Sequence, residues 1–510
     1  MTQRSQPAHD GLDIRNDPVL RWLRAGVIGR DATIPTSVGN RRKRYFDQTA
    51  SGLPFAPIEQ LLRDQVLPMM TNTHTEANSC SRFMTQWYEA AHNTARRVLN
   101  ASDDDVVIFT GSGATGAINK LIGLLGIRIP DNFANRQGCK EHLARSERPL
   151  VIRSRMEHHS NDITWRETIA DTEHVGYDNL GRPDWRDLDR ILSSPKYRDR
   201  KLKIGTFSAA SNVTGIMSDV DNLARVMHEH GGYAFFDYAA AAPYLPIDLH
   251  PNGDPALRRD AVFISMHKFV GGPQCPGLLA VNRALFKRNA PVEPGGGTVL
   301  YTSPWEYRYL DDLRHREEGG TPPIIQVIRA GLVLDLKEKI GVERIHAVEQ
   351  HFLERAIKAW RKEPSIRILG DLAAPRIGVM SLILDNGELH HNLAVRLLND
   401  LYGIQTRGGC MCAGTYGHDL LGIDQSTSQS IRDKLDRGDL ASKPGWVRVG
   451  FNPATSEGEF RVLLEAVPHV ARHWRRYVDS YDMDPVNASW RHKNGEPEVP
   501  LLGLTPAFPT

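Results

Sequence analysis

A glycine-rich turn offers a site for a phosphate group. Residues 110–116 (TGSGATG) follow the apolar run 106–109 and precede a helix pattern over 117–125. Such a turn leaves backbone N–H groups free at a helix N-terminus, where the helix dipole favours an anion. Tight packing alone also explains such a turn, and this one lacks the lysine that ends a P-loop. The segment therefore predicts a phosphate cradle only in company with other residues.

A carboxylate and an amine follow two later apolar runs. Asp237 comes directly after the run 233–236, and Lys268 ends the segment SMHK that follows the run 261–264. Side chains at the carboxyl ends of buried parallel strands face the crevice in which α/β proteins bind ligands. A desolvated lysine has a lowered pKa, and its neutral amine attacks aldehydes. Taken singly, the aspartate is also suited to capping a helix, and a lysine at a strand end is more often a surface residue.

A phosphate cradle, a carboxylate and an amine on successive strands together meet the needs of pyridoxal 5'-phosphate. The lysine would hold the aldehyde, and the carboxylate would keep the ring nitrogen protonated so that the ring can draw electrons from a substrate. The joint pattern therefore predicts this cofactor, although each piece alone predicts little.

The elements that must position these residues alternate between helix and strand patterns. Apolar residues recur at helical spacing over 81–100. Short apolar runs, separated by helix-length polar segments, lie at 106–109, 150–152, 204–207, 233–236, 261–264 and 278–281. This alternation indicates an α/β fold whose mostly parallel sheet is covered by helices on both faces.

The pattern changes after the segment TPP that begins at Thr321. A long helix pattern, the apolar run 379–384, a helix near 389–402 and a strand near 446–451 indicate a smaller α+β unit. We predict an N-terminal extension over 1–44, a large cofactor-binding domain over 45–325, a small C-terminal domain over 326–478 and a tail over 479–510. The Pro-rich composition of the tail indicates poor order.

Charge and apolar content exclude several classes of partner. The 510 residues include 63 Lys and Arg against 61 Asp and Glu, so no overall field draws the chain to nucleic acid or to an anionic membrane. We interpret the basic run 41–44 as a solvated surface segment. No stretch reaches the ~18 apolar residues of a membrane span. An odd number of cysteines and a start without the apolar run of a secretory signal favour the cytoplasm.

The order of the motifs resembles class V of the fold-type I pyridoxal-phosphate enzymes, the aminotransferase and cysteine desulfurase family, over about residues 45–475. The matching segments, in chain order, are YFDQTA from Tyr45, NTHT from Asn72, GAT from Gly113, EHHSN from Glu157, SNVTG from Ser211, Asp237, SMHK from Ser265, GGTP from Gly319, RGGCMCA from Arg407, and Arg448. The resemblance implies a large domain with a mostly parallel seven-stranded sheet and a smaller C-terminal α+β domain.

The resemblance also implies roles for individual residues. His158 would stack on the cofactor ring and relay protons, and Asn212 would support the ring or the substrate carboxylate. Thr321 would reach the phosphate in the other subunit of a homodimer. Arg448 would bind the carboxylate of an amino-acid substrate, since a guanidinium in an apolar strand needs a partner. The phosphate would be held by Gly113, Ala114, Thr115, Ser265 and His267.

Cys412 bears on the reaction class. In desulfurases a cysteine at this place in the motif attacks the sulfur of the substrate and leaves as a persulfide, which a sulfur-acceptor protein can then receive. Arg407 could lower the pKa of that thiol, and Cys410 could resolve or accept the sulfur. The alternative is that both cysteines are small residues of a tight loop. With no second Cys or His pair beside them, they predict no zinc site.

The chain also departs from the family pattern. Ala240 stands where the family usually has a glutamine that bonds the cofactor's phenolic oxygen, Tyr244 replaces a common histidine, and Gly116 replaces a common glutamate. We therefore predict cleavage of the C–S or C–Se bond of cysteine or selenocysteine, and keep transamination, epimerisation or another lyase reaction of a small amino acid as the alternative. A nucleotide-binding protein without enzymatic activity is a third hypothesis, which leaves Lys268 and Asp237 without a use.

Overall fold

The structure, a computed structural model, describes residues 13–73, 75–130, 132–133 and 142–498. His74 of the NTHT segment, Cys139 and the last part of the tail lie outside these residues. The helices are α1 (Pro18–Gly26), α2 (Ala56–Leu61), α3 (Ser79–Val98), α4 (Gly113–Leu125), α5 (Ile163–Arg166), α6 (Trp185–Ser193), α7 (Val220–Glu229), α8 (Leu313–Glu317), α9 (Ile324–Ile340), α10 (Val342–Trp360), α11 (His391–Tyr402), α12 (Gly414–Leu421), α13 (Gln425–Asp436) and α14 (Glu457–His473).

The strands include several short pairs besides the two larger sheets. In chain order they are β1 (Thr33–Ile34), β2 (Arg41–Arg42), β3 (Arg44–Tyr45), β4 (Asp105–Thr110), β5 (Leu150–Arg153), β6 (Asp171–His174), β7 (Lys203–Ser208), β8 (Tyr233–Asp237), β9 (Ala261–Ser265), β10 (Gly277–Asn282), β11 (Val299–Thr302), β12 (Tyr307–Tyr309), β13 (Ile366–Ile368), β14 (Val379–Leu384), β15 (Ile404–Gln405), β16 (Arg407–Gly409), β17 (Trp446–Gly450), β18 (Tyr481–Asp484) and β19 (Ser489–His492).

The larger sheet has seven strands in the order β4-β10-β9-β8-β7-β5-β6. All neighbours are parallel except at β10, which is antiparallel to both β4 and β9. The predicted α/β fold with a mostly parallel seven-stranded sheet is confirmed. The edge strand β6 is the one that the apolar runs did not indicate, because its sequence DTEH is polar.

Helices cover both faces of this sheet. Along β4, Val107 and Phe109 belong to one apolar core with α3 and α9, whereas Val106 and Ile108 belong to another with α4. Alternate residues of a strand point to opposite faces, so a strand buried on both sides reads as a continuous apolar run. This explains why the sequence pattern located six of the seven strands.

The smaller sheet is antiparallel, in the order β13-β14-β17-β16. Its apolar core is closed by α10, α11 and α14, and α11 presents Leu393, Leu397 and Leu398 to it at helical spacing. β16 and β17 carry Arg407 and Arg448 as directly paired residues. This sheet therefore delivers two guanidinium groups to one place.

Two described segments near the ends of the chain form regular elements that their composition did not indicate. In α1, Leu20 packs into the core of the smaller sheet and Leu23 into a core of the larger one. Asp17 caps this helix, because its Oδ1 accepts from the Leu20 N–H at 2.9 Å. At the other end β18 and β19 form an antiparallel hairpin, and the Tyr481 hydroxyl donates to Asp400 at 2.9 Å. The expected poor order of the tail is wrong for residues 481–492.

None of the helices among the described residues is long and apolar enough to cross a bilayer.

Candidate active site

A cavity of about 300 Å³ lies where the carboxyl ends of the parallel strands meet the smaller sheet. It is lined by Asp237 from the end of β8, by Lys268 from the turn after β9, and by the first residues of α4. The sequence-predicted residues that line it are Gly113, Ala114, Thr115, His158, Asn212, Asp237, Ser265, His267, Lys268, Arg407, Cys412 and Arg448. Residues separated by more than 300 positions thus meet in one space.

One end of the cavity has the geometry of an anion cradle. The Ala114 N–H donates to Ser265 Oγ at 2.9 Å, and the Thr115 and Ser160 hydroxyls hydrogen bond at 2.6 Å. Gly113 has φ +59°, and a Cβ there would lie 2.9 Å from both His267 Cε1 and Ser265 Oγ. Only glycine suits this position. Small residues and hydroxyls at the N-terminus of α4 form the kind of site that binds a phosphate.

A buried acid, Asp237, and a half-buried amine, Lys268, line the same cavity and are near enough for their charges to interact. Burial raises the pKa of Asp237, although its Oδ1 accepts from the Ala239 N–H at 2.7 Å and the charge of Lys268 lowers it. Burial lowers the pKa of the Lys268 amine to about 8, with the Asp237 charge opposing and Arg448 reinforcing the shift. A substantial fraction of the amine is therefore neutral near physiological pH, when a lysine is a nucleophile.

His158 is held as a neutral ring. The Ser160 N–H donates to its Nδ1 at 3.1 Å, so the proton of the neutral ring sits on Nε2. Burial lowers the pKa of His158 to about 3, and the Lys268 charge adds to the effect. The preceding Glu157 is also buried, and the Ser208 N–H and hydroxyl donate to its two oxygens at 2.8 and 2.7 Å. Glu157 thereby fixes the segment that carries the histidine.

Cys412 lies in a strained turn that borders the cavity. Met411 and Cys412 both have φ +54°, and the Ala413 N–H donates to the Cys410 carbonyl at 3.1 Å. This is the pattern of a type I′ turn, which normally requires glycine or asparagine, and each left-handed residue costs about 1–3 kcal/mol. The Cys412 side chain is exposed.

Two side chains and one backbone group hold this turn in place. The Asn212 side-chain amide donates to the Met411 carbonyl at 2.7 Å, and the His159 N–H donates to the Cys412 carbonyl at 2.7 Å. His159 Nε2 then accepts from the Gly414 N–H at 3.0 Å. The backbone groups at the tip of the turn are thus satisfied from outside it, which offsets its strain.

A carboxylate joins the two guanidinium groups of the smaller sheet. Asp47 accepts from Arg448 Nη2 at 3.1 Å and from Arg407 Nε at 3.0 Å, and Arg448 Nη1 donates to the Asn212 carbonyl at 3.1 Å. The sequence predicted a partner for Arg448 but assigned that place to a substrate. Asp47 lies in the quoted YFDQTA segment, and nothing in its local pattern indicated that it would pair with an arginine 401 positions away.

Other residues of the site were missed or lie elsewhere. Thr321 does not line the cavity in this single chain; its hydroxyl accepts from the Asn72 amide at 3.3 Å. Ala240 does line it, so a methyl group occupies the place where the family has an amide donor. Further lining residues not singled out from the sequence are Thr49, Ala50, Ser112, Ser160, Ser208, Ala210, Ala239 and Met411. Most are small or hydroxylated, and such residues carry little signal in a sequence.

The described residues include no group of three or more His, Cys, Asp or Glu side chains placed to hold a metal ion.

The sequence model of the family described as aminotransferase class-V matches residues 44–459. The chain belongs to this family.

The chain is similar in sequence to several bacterial proteins. A probable cysteine desulfurase of Streptomyces coelicolor is 28% identical over 373 residues, which cover 72% of this chain and 83% of that protein. A probable cysteine desulfurase of Halalkalibacterium halodurans is 29% identical over 379 residues, covering 72% and 84% respectively.

Solved structures share the class-V fold. The apo cysteine desulfurase of Thermococcus onnurineus superposes with a TM-score of 0.69 at 21% identity, over 88% of this chain and 97% of that one. A cysteine desulfurase of Escherichia coli superposes with a TM-score of 0.65 at 23% identity, over 84% and 94%.

Enzymes of the class-V family depend on pyridoxal 5'-phosphate, and the residues of the cavity fit this group. The cradle at Gly113 leaves room that a Cβ would fill, and hydroxyls and an N-terminal helix turn surround it. The buried Asp237 offers a carboxylate for a protonated ring nitrogen, and Lys268 offers a partly neutral amine for an aldehyde. The predicted cofactor is thus confirmed by the family and accommodated by the site.

Proposed function

We propose that this class-V enzyme is a cysteine desulfurase that transfers the sulfur of cysteine to Cys412 and releases alanine. The observation that carries the proposal is the exposed thiol of Cys412, presented to the same cavity as Lys268 by a turn whose strain is offset from outside. Residues held in left-handed conformations cost free energy, and such strain clusters at functional sites. The desulfurase relatives agree with this reading.

The reaction breaks one bond and forms another. The Cys412 thiolate attacks the substrate sulfur, an S–S bond forms, and the C–S bond breaks with its electron pair left on carbon. Protonation of that carbon gives alanine, and Cys412 carries the persulfide. Bound pyridoxal phosphate supplies an electron sink that makes the bonds at the substrate Cα labile.

The chain's own residues move protons and orient the substrate in this proposal. Lys268, neutral in part because burial lowers its pKa to about 8, takes and returns the proton at the substrate Cα. His158 presents its Nε2–H to the cavity because Nδ1 is occupied by the Ser160 N–H. Arg448 retains N–H donors beyond those bonded to Asp47 and Asn212, and these bind the substrate carboxylate.

The test compares Cys412→Ser with wild type and with Cys80→Ser, which alters a cysteine on α3 outside the cavity. Each pyridoxal-phosphate-loaded protein is incubated with L-cysteine and a thiol reductant, and alanine and sulfide are measured. We expect at least about a 100-fold loss in Cys412→Ser, the size of effect expected when a nucleophile is removed, and no change in Cys80→Ser.

Equal rates of sulfide formation in wild type and Cys412→Ser would contradict the proposed nucleophile. Selenocysteine as a second substrate tests the related reading, because a selenocysteine lyase would keep its activity without the thiol. Formation of a keto acid, or loss of optical activity, from another amino acid would favour the alternative of transamination or epimerisation.

We further infer a cytoplasmic homodimer with shared active sites and a sulfur-acceptor protein as partner. Support for the dimer comes from Thr321, which lies outside the cavity of its own chain, and from the nearby hairpin of β11 and β12, where Trp305 is 89% exposed. Sedimentation gives the mass in solution. Thr321→Ala and Lys268→Ala chains, each weakened alone, would regain activity when mixed if one chain completes the other's site.

A further inference from the structure

The turn that carries Cys412 carries a second thiol on another side. Cys410 is the first residue of the same turn, since its carbonyl accepts from the Ala413 N–H at 3.1 Å. Cys412 lines the cofactor cavity, whereas Cys410 lines a second cavity of about 200 Å³ together with His159 and Gly414. The turn therefore borders two cavities and offers one thiol to each.

The second cavity suits an anionic sulfur species. Ile431 and Leu435 of α13 line it with Trp446, and Arg432 and Lys443 add two cationic side chains. Among the described residues that line it there is no carboxylate. Lys443 is near enough for its charge to add to the burial that lowers the pKa of His159. Two cationic side chains beside a mostly apolar wall offer an electrostatic partner for a negatively charged persulfide.

We propose that Cys410 is a relay site, which receives the sulfur of Cys412 and holds it as a persulfide in the second cavity. The inference rests on the proposed desulfurase function. The chain would then hold sulfur at two positions. Cys412 holds it in the cofactor cavity, and Cys410 holds it in the second cavity, on which the substrate does not lie.

The turn brings the two thiols within reach of each other. Residues two apart are separated by at most about 7 Å between Cα atoms even in an extended chain, and a turn brings them closer. Bonded cysteine pairs have Cα atoms about 4.4–6.8 Å apart. The Cα separation of the two residues is therefore no obstacle to contact between the Cys410 thiol and a sulfur carried by Cys412.

The transfer is balanced without any external oxidant or reductant. The Cys410 thiolate attacks the outer sulfur of the Cys412 persulfide, a new S–S bond forms on Cys410, and the old S–S bond breaks with its electron pair on Cys412. The proton lost by Cys410 is gained by Cys412. The free Cys412 thiol is then ready for a second substrate molecule before the first sulfur has left the enzyme.

The experiment counts the first turnovers, with no thiol present other than the substrate. The pyridoxal-phosphate-loaded full chain is mixed with excess L-cysteine, alanine is measured over the burst, and the protein is alkylated and digested. Trypsin leaves both thiols in the peptide between Arg407 and Arg432, and fragmentation on either side of Met411 assigns the persulfide. We expect a burst of about two alanines per wild-type chain and about one per Cys410→Ser chain, with about two in the control Cys80→Ser.

Each outcome has a separate meaning. Persulfide on Cys410 in wild type, absent from both positions in Cys412→Ser, supports the relay. A burst of one alanine with persulfide confined to Cys412 overturns it, as does a Cys410–Cys412 disulfide formed with release of sulfide, or persulfide on Cys410 of Cys412→Ser. No alanine and no persulfide in wild type overturns the desulfurase function itself, and the relay with it.

Discussion

Lys268 and Cys412 face the same cavity, but different kinds of structure hold them. Lys268 follows a strand that is buried on both faces, and the Gly113 cradle beside it is built from the same sheet. Cys412 lies in a turn that adopts two unfavourable backbone conformations and depends on Asn212 and His159 for its shape. The cofactor side is thus fixed by the fold itself, whereas the thiol side is fixed by a few hydrogen bonds.

Substitutions on the two sides of the cavity should therefore affect different steps. Substitutions on the cofactor side should alter cofactor binding, because the sheet cannot readjust. Substitutions around the turn should leave cofactor binding intact and slow sulfur transfer.

Lys268→Ala should remove both the covalent attachment of the cofactor and the reaction. We expect loss of the visible absorbance of the purified protein and at least about a 100-fold fall in alanine formation from cysteine, since a positioned base contributes that much or more. Lys337→Met is the matched control: Lys337 is also buried, with its pKa lowered by burial to about 7, but it does not line the cofactor cavity. Loss of absorbance in the control alone would contradict our assignment.

Gly113→Ala should weaken cofactor binding without affecting the turn. The new Cβ would meet His267 and Ser265 at 2.9 Å from a residue with φ +59°. The cradle must shift to relieve these contacts, so the bound phosphate loses hydrogen-bond donors. A loss of about 1–3 kcal/mol of binding free energy corresponds to about a 5- to 150-fold rise in the dissociation constant of pyridoxal phosphate, measurable by titration of the apo-protein. Gly458→Ala in α14 meets no atom within 4 Å and should change nothing. Unchanged affinity in Gly113→Ala would show that the phosphate binds elsewhere.

His159→Ala should slow sulfur transfer selectively. The substitution leaves the Gly414 N–H without its acceptor and loosens the turn at Cys412. Loss of a hydrogen bond to a half-buried N–H costs about 1 kcal/mol, so we expect kcat for sulfide formation to fall about five- to tenfold while cofactor absorbance is retained. In a Cys412→Ser background the same change should have no further effect on that rate. An equal loss of cofactor would mean that the two sides of the cavity are not separate.

The pH dependence of cofactor capture should report the Lys268 amine. Only the neutral amine attacks an aldehyde, so the rate at which apo-protein binds pyridoxal phosphate should rise about tenfold per pH unit below about 8 and level off above it. The Asp237 charge raises the pKa of this amine, so Asp237→Asn should shift the midpoint to lower pH. Rapid-mixing absorbance follows the rate, and a midpoint that stays at the same pH would contradict the coupling.

The sequence predicted the cofactor side far better than the thiol side. Strands such as β8 and β9 are continuous apolar runs because both faces are buried, and the residues that follow them carry the chemistry. The edge strand β6 escaped this pattern because its four residues are only half-buried and its sequence is polar. The reversal at β10 is a property of long-range pairing that no local run encodes.

The thiol side depends on contacts between distant segments. Met411 and Cys412 have no local preference for a left-handed turn, and the amide of Asn212, 199 positions away, helps to impose it. The link from Asp47 to Arg448 spans 401 positions in the same manner. Such pairings depend on the finished fold, so a single sequence can name the residues without naming their partners.

The helix α1 precedes the part of the chain that matches the family, yet it belongs to both apolar cores. Leu20 contributes to one core and Leu23 to the other, and Asp17 accepts from Arg344 at 3.0 Å. A shared helix makes the melting of either core disturb the other, so we expect heat to unfold both in a single cooperative transition. A chain trimmed to the family boundary would leave the apolar surfaces beneath Leu20 and Leu23 uncovered, so we expect it to unfold at a lower temperature and to aggregate more readily.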